Sequence, residues 1–356
     1  MQFRPRQYLL QWLGLILMLV TSQHGLAAGG SQTEAVSRPP ACLQGTFIQL
    51  VDENRTWPRT QWESLFKQFQ ELKINRIVLQ WTVIDGQAFY PSHNFKSATE
   101  PVVEWIMSLA DTHGMEVMVG LTHQSNHWDI VGKAEQRPKY LAEELARIAQ
   151  AVDELGPLVT THKSFRGWYI SQEVDDLNWM DDVSNESLRS FLVQASTLLK
   201  TLTPRATIGV SAFANKATAP QELELFWSRM LARVQNLDTI YFQDGIGVYK
   251  LDLAVLSAYY NAMHTAAKTN KREMMPVIEI FEQTSGMPLN NNAFSAKSAP
   301  LERILRQVSE AENYSAKHIA FSVPEYLSSM KDGSTRQAYD DYISYMREKK
   351  IVCSDN

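Results

Sequence analysis

Cysteine is nearly missing from this chain: Cys42 and Cys353 are the only two among 356 residues. Neither has the close spacing of a metal-binding or dithiol motif, which argues against thiolate metal sites and redox chemistry. Long apolar runs are scarce as well. Apart from one near the start, no stretch approaches the roughly 20 residues needed to cross a bilayer. There is no excess of positive charge either, with 34 Lys and Arg against 39 Asp and Glu and a net charge of −5. The basic residues form no stripe, so nucleic acid is not an expected partner. No glycine-rich phosphate fingerprint follows the first candidate strand, and no cofactor is expected.

What is present begins with a targeting pattern. Arg4 and Arg6 precede an apolar run over 8–20, followed by polar residues and then Gly25-Leu26-Ala27-Ala28. This is the layout of a cleaved secretory signal peptide over 1–28; a retained anchor requires a longer run without Gln11 inside it. Residues 29–41, rich in Gly, Ser, Thr and Pro, read as a flexible leader. The motif before Cys42, Arg38-Pro39-Pro40-Ala41, does not suit lipid attachment. The mature protein is therefore expected in the periplasm or outside the cell, with no stable membrane insertion.

From Gly45 onward a short β-branched or aromatic run, a loop and an amphipathic segment alternate. Candidate strands cover 45–50, 76–83, 115–121, 167–173, 207–213, 239–242, 275–280 and 318–323. Their nearly continuous apolar content suits strands covered on both faces. Helices are expected over 138–155, 186–202, 220–234, 251–269 and 335–349, among others. Thr60-Gln61-Trp62-Glu63 has the form of a capping box, Pro101 and Pro300 sit at helix starts, and Gly114 and Gly156 sit just past helix ends. Eight strands alternating with eight helices predict an α/β fold, a (β/α)8 barrel in a single domain over 42–356. A doubly wound open sheet uses the same units but usually fewer strands.

In such a barrel function collects at the C-terminal ends of the strands. Those ends carry Gln49, Gln80-Trp81, His123 to Trp128, Gln172-Glu173, Asp244, Glu279 to Glu282, and Tyr326. Amides and carboxylates bind hydroxyls, and aromatic faces bind the C–H side of a sugar ring. Trp62, Trp105, Trp168 and Trp227 read as core; Trp57, Trp81, Trp128 and Trp179 lie where they can serve either as platforms or as core.

Glu173 follows the apolar Trp168-Tyr169-Ile170, and Glu279 interrupts Pro276-Val277-Ile278 and Ile280-Phe281. A carboxylate within an apolar strand is costly unless paired or hydrogen-bonded. Either a structural ion pair or a catalytic role meets that condition. The catalytic role needs two such groups: a protonated acid for the leaving oxygen and an ionised carboxylate at the anomeric carbon.

Glutamates at the ends of strands four and seven resemble the arrangement of clan A glycoside hydrolases. Gly45-Thr46-Phe47-Ile48-Gln49, Trp168-Tyr169 leading to Glu173, Gln243-Asp244-Gly245 and Glu279-Ile280-Phe281-Glu282 are also similar to an uncharacterised family of secreted bacterial barrel proteins. The resemblance spans about Gly45 to Lys349. It implies a retaining glycosidase acting on an oligo- or polysaccharide, such as a bacterial exopolysaccharide, with Glu173 as proton donor, hence held protonated, and Glu279 as nucleophile, hence ionised. Gln172 stands where clan A enzymes place an asparagine, and Glu282 or Asp244 remains an alternative second carboxylate. The expected substrate-binding set is Gln49, Gln80, Trp81, His123, Trp128, Gln172, Asp244, Glu282 and Tyr326.

Two other readings stay open. His123 and His127 are spaced for a metal on a helix, but their segment reads as a loop without further ligands, and no metal is expected. A barrel that binds polysaccharide without cutting it fits the same tips. Finally, closing the barrel brings the segment before strand one and the segment after the last helix to the same end. Cys42 and Cys353 are therefore expected to form a disulfide in an oxidising compartment.

Overall fold

Eight parallel strands close on themselves, each paired with its sequence neighbours and the last with the first. They are β1 (Gly45–Ile48), β2 (Arg76–Leu79), β3 (Glu116–Gly120), β4 (Phe165–Asp175), β5 (Thr207–Phe213), β6 (Thr239–Gln243), β7 (Glu273–Glu279) and β8 (Ile319–Phe321). A long helix follows each: α1 (Arg59–Glu71), α2 (Val102–His113), α3 (Arg137–Val159), α4 (Asp182–Leu202), α5 (Pro220–Arg233), α6 (Leu253–Thr269), α7 (Leu301–Ala311) and α8 (Ser334–Glu348). The computed structural model describes residues 42–287, 292–351 and 353. The expected signal peptide and leader, residues 1–41, lie outside the described residues.

The core has two parts because each strand sends alternate side chains inward and outward. Outward residues such as Ile77, Val117, Trp168, Ile170, Ile208, Phe242 and Ile278 join the helices in one large apolar layer. Inward residues Phe47, Val78, Met118, Tyr169, Tyr241, Met275, Val277 and Ile319 fill the barrel. Gly209 leaves room for this filling: a Cβ there would lie 2.5 Å from the Tyr241 ring. Trp62, Trp168 and Trp227 are fully buried, as their core reading requires.

Several helix boundaries differ from the expected ones. The Thr60 capping box does not form; α1 starts two residues earlier behind Pro58, and Arg59 instead pairs with Glu63 one turn on. Gly156 is not a stop, since α3 runs through Gly156-Pro157 to Val159 with Leu155 and Val159 buried on its inner face. Gly114 does end its helix, with φ +65 in the left-handed region that glycine adopts without strain.

The two ends of the barrel domain are tied together. Cys42 and Cys353 are joined by a disulfide with a Cα separation of 6.0 Å. Beside it, the Leu43 amide donates to the Tyr342 hydroxyl of α8 at 2.7 Å, and His318 Nε2 lies 2.5 Å from the Cys42 carbonyl. Burial keeps that imidazole neutral, its pKa depressed to about 4.

A cross-link that closes a loop this long removes unfolded-state entropy on the order of 5 kcal/mol in the chain-entropy model, with about 2–5 kcal/mol typical of native bridges. Replacing Cys353→Ser should lower the unfolding free energy within that range in a denaturant titration. Unchanged stability would mean the termini are held by Tyr342 and His318 alone.

Candidate active site

Counting by two from the barrel filling leads directly to the cleft. On β4, Tyr169 and then Glu173 face inward. On β7 the inward series Met275, Val277 ends at Glu279, and on β6 Tyr241 is followed by Gln243. A bulge between Ile170 and Glu173 takes up two residues, so Glu173 keeps the inward parity of Tyr169 and sits opposite Ser211. The same rule places Gln49 beyond β1, Gln80 beyond β2, Phe213 on β5 and Phe321 on β8. All of these line one cavity of about 270 Å³ together with Trp81, His123, Trp128, Lys250, Phe281, Phe294 and Tyr326. A larger recess of about 700 Å³ lies at the opposite, N-terminal end, around Thr207, Thr239 and Glu273, and holds neither glutamate of the pair.

Glu173 accepts a hydrogen bond from the Gln243 amide at 2.7 Å. Burial raises its pKa, opposed by that bond and by the Lys250 charge. Glu279 is held on several sides. Its Oε2 accepts from the Val248 amide at 3.0 Å, its own N–H donates to Asp244 Oδ1 at 3.3 Å, and its carbonyl accepts from Gln307 and Arg303, both at 3.2 Å. Glu279 is expected to be the ionised member of the pair, and its surroundings act on it in both directions. Burial and the Asp244 charge behind it push its carboxyl up, while the backbone amides and Lys250 only partly pull it back.

The segment Asp244 to Lys250 wraps this glutamate. Gly245 takes φ +63, and its carbonyl accepts from the Lys250 and Leu251 amides at 2.9 and 3.1 Å. Asp244 Oδ1 caps the turn by accepting from Ile246 at 3.1 Å, and Asp244 Oδ2 accepts from Gln307 of α7 at 2.5 Å. Gly247 presses on the site so closely that a Cβ would lie 2.5 Å from the Phe281 carbonyl and 2.9 Å from Glu279 Cβ.

Of the expected binding residues, Gln49, Gln80, Trp81, His123, Trp128 and Tyr326 line the cavity with the two glutamates. Gln172, Asp244 and Glu282 do not, and parity is the reason in each case. Gln172 and Asp244 follow or precede inward residues by one, so both point out of the barrel and are fully buried, Asp244 behind Glu279. Glu282 turns away from Phe281 in the ribbon formed by Phe281–Gln283 and Ala296–Ser298 and pairs with Lys297 at 3.4 Å.

Among the tryptophans left between two roles, Trp81 stacks on His123 at 4.5 Å and Trp128 stands 42% exposed at the rim. Trp179 is buried against Arg137, and Trp57 packs on Trp62. His127 sits in a short helix, not a loop, and turns to the Tyr140 hydroxyl at 2.8 Å, leaving His123 alone at the cleft. Burial depresses both imidazoles, to about 4 and about 3. Among the described residues no three His, Cys, Asp or Glu side chains cluster as metal ligands do.

Sequence reasoning missed Gln243 as the partner of Glu173, the phenylalanines Phe213, Phe281, Phe294 and Phe321, and above all Lys250. The strand phenylalanines were open to the counting rule. Lys250 carried no signal, because it reaches the cleft from a loop whose path depends on Gly245.

With this geometry established, comparison with known proteins becomes informative. Residues 43–332 match the family described as "Domain of unknown function (DUF4434)". The chain belongs to that family. It is 25% identical to the uncharacterized protein YbcH of Escherichia coli strain K12 over 231 residues, 62% of this chain and 71% of that one. Among solved structures, a putative alpha-L-fucosidase from Bacteroides thetaiotaomicron superposes with a TM-score of 0.72 at 17% identity, covering 88% of this chain and 97% of that one. An endo-beta-1,4-mannanase from Thermotoga petrophila gives 0.55 at 12% identity, covering 86% and 77%. At these identities the likeness is one of fold alone, the closed parallel barrel.

The packing around Gly247 yields a direct test of how the pair is positioned. Gly247→Ala should push Glu279 out of line and lower turnover about 100-fold, the cost of a displacement near 1 Å, while the protein remains folded. Full activity in that variant would show that Glu279 does not need the wrapped loop.

Proposed function

We propose that this DUF4434 protein is an exported glycoside hydrolase in which Glu173 protonates the leaving oxygen and Glu279 acts at the anomeric carbon. One observation carries the reading: two recessed carboxyls stand at the ends of β4 and β7 in a single cleft that also offers amides and aromatic faces. The barrel fold shared with the putative alpha-L-fucosidase and the endo-beta-1,4-mannanase supports it. So does the disulfide, which suits an oxidising compartment. Among the described residues no helix is long and apolar enough to cross a membrane.

The chemistry follows from the surroundings of each group. Glu173, raised by burial, holds a proton that it can deliver to a glycosidic oxygen lying in the cleft. As that oxygen leaves, positive charge develops at the anomeric carbon, and an ionised Glu279 beside it lowers the barrier by forming a glycosyl ester. The Val248 amide and Lys250 stabilise the ionised form of Glu279, and Asp244 opposes it. Water then cleaves the ester with Glu173 acting as base, so the product keeps the anomeric configuration. Trp81, Trp128 and Tyr326 offer faces for sugar rings, and Gln49 and Gln80 offer amides for hydroxyls. An oligo- or polysaccharide, such as a bacterial exopolysaccharide, is the substrate class this lining suits.

Reducing-end release from a panel of bacterial exopolysaccharides and plant glucans tests the activity, with product configuration read by proton NMR. Glu173→Gln and Glu279→Gln should each lower turnover about 10²- to 10⁴-fold. The rate should fall at low pH as the base protonates and at high pH as the acid ionises. Since burial raises both groups, both limbs should lie above the ordinary carboxylate pKa of about 4.3. Asp244→Asn removes the opposing charge, so the acid limb should move to lower pH. Polymer binding without release by any variant or by the unaltered protein would instead mark a non-catalytic barrel.

A further inference from the structure

Two carboxyl side chains and one amine line the cleft: Glu173, Glu279 and Lys250. The two carboxyls have their partners, the Gln243 amide and the Val248 N–H. Lys250 has no such partner. Among the described residues its ammonium makes no hydrogen bond and no ion pair within 4.0 Å. It lies 3.7 Å from the centroid of the Phe213 ring and 6.0 Å from that of Trp128.

This placement is built into the loop. The Lys250 amide is fixed to the Gly245 carbonyl, and Tyr249 before it takes a left-handed φ of +60. The side chain is half-buried, with its ammonium over the Phe213 ring and at the wall of the cavity. Burial disfavours the charged amine, while Glu279, Glu173, Asp175 and Asp176 attract it from a distance and the ring face adds to that attraction; none of these carboxyls makes a direct ion pair with it.

The charge balance of the cleft indicates what would complete the site. A glycosidase at work holds one carboxyl protonated and the other ionised. Together with Lys250 that leaves the cleft near neutral, with the ionised carboxylate already accepting from a backbone amide. An anionic group on a sugar would meet an ammonium with free donors rather than a wall of negative charge. A neutral hydroxyl could accept one hydrogen bond from Lys250 but would give the ammonium no direct ion pair.

We propose that Lys250 is a specificity-determining residue that receives an anionic substituent of the sugar, a carboxylate or a sulfate ester, so that the cleft takes an acidic glycan. The substrate class named here rests on the glycosidase reading of the same cleft; the anion contact itself does not. Phe213 and Trp128 hold the ammonium in place, and Gln49 and Gln80 remain for the neutral hydroxyls.

Calorimetric binding to the full-length Glu173→Gln protein, which blocks turnover, tests the contact. The probes are tetrasaccharides of galacturonate, mannuronate and glucuronate with their carboxyl-reduced counterparts, and carrageenan tetrasaccharides with their desulfated counterparts. At least one acidic oligomer should bind about tenfold or more tightly than its neutral counterpart, and its affinity should fall as salt rises. The pair that responds tells carboxylate from sulfate. Adding Lys250→Met should bring the two members of that pair to within about twofold, while Lys250→Arg, which keeps the charge, should retain the preference. Equal binding of acidic and neutral members across the panel, or a preference that survives Lys250→Met, would overturn the proposal. Sugar release by the unaltered protein separates the two readings. Release confined to neutral glycans would keep the hydrolase and remove the anion site; an acidic preference without any release would keep the anion site and remove the hydrolase.

Discussion

Closing eight parallel strands around a filled interior leaves the inward positions at their C-terminal ends facing one cleft, and the site depends on that constraint. The lower inward positions are occupied by Phe47, Val78, Met118, Tyr169, Tyr241, Met275, Val277 and Ile319, which exclude water and form a floor. Above that floor the same columns turn polar or aromatic at Gln49, Gln80, Glu173, Gln243, Glu279, Phe213 and Phe321. Because the floor is packed, the polar groups above it stand in a low-dielectric recess. That recess raises the carboxyls and strengthens every charge interaction among them.

Holding Glu279 in such a place takes much of the polar structure around β6, β7 and α7. Asp244, one residue out of parity, faces the helices and bonds to the backbone of Glu279 and to Gln307. Gln307 is itself fully buried on the apolar face of α7, where a polar side chain is tolerated because it satisfies Asp244 and the Glu279 carbonyl together. Gly247 lets the loop pass against the glutamate, and Gly245 turns it so that Lys250 returns to the cleft. A buried acid thus stands between a repelling carboxylate behind it and an attracting ammonium in front, an arrangement that tunes its charge without a direct ion pair.

Much of the fold could be read from the chain. The alternation of apolar runs and amphipathic segments located all eight strands to within a few residues, and barrel closure anticipated the Cys42–Cys353 bridge. Helix ends were read less well, because burial overrides local signals: α3 continues through Gly156-Pro157 where composition suggests a stop. At the site, strand residues were legible and loop residues were not. Glu173, Glu279, Gln80 and Trp81 follow from position on a strand, whereas Gln172 and Asp244 were misplaced by treating a strand tip as a point instead of two faces. Lys250 is sent into the cleft by backbone angles that no periodicity encodes.

In the proposed mechanism Glu173 and Glu279 act as a pair on a glycosidic bond, with Glu279 as the group that forms the ester. Mechanism-based labelling tests it most directly. The protein is incubated with a panel of sugar-configured cyclophellitol epoxides, including acidic members, and the modified peptide is sequenced by mass spectrometry. The account predicts a single label on Glu279 whose formation slows sharply in Glu173→Gln, since the epoxide needs the acid to open. A label on Asp244 or Glu282, or labelling indifferent to Glu173, would contradict it.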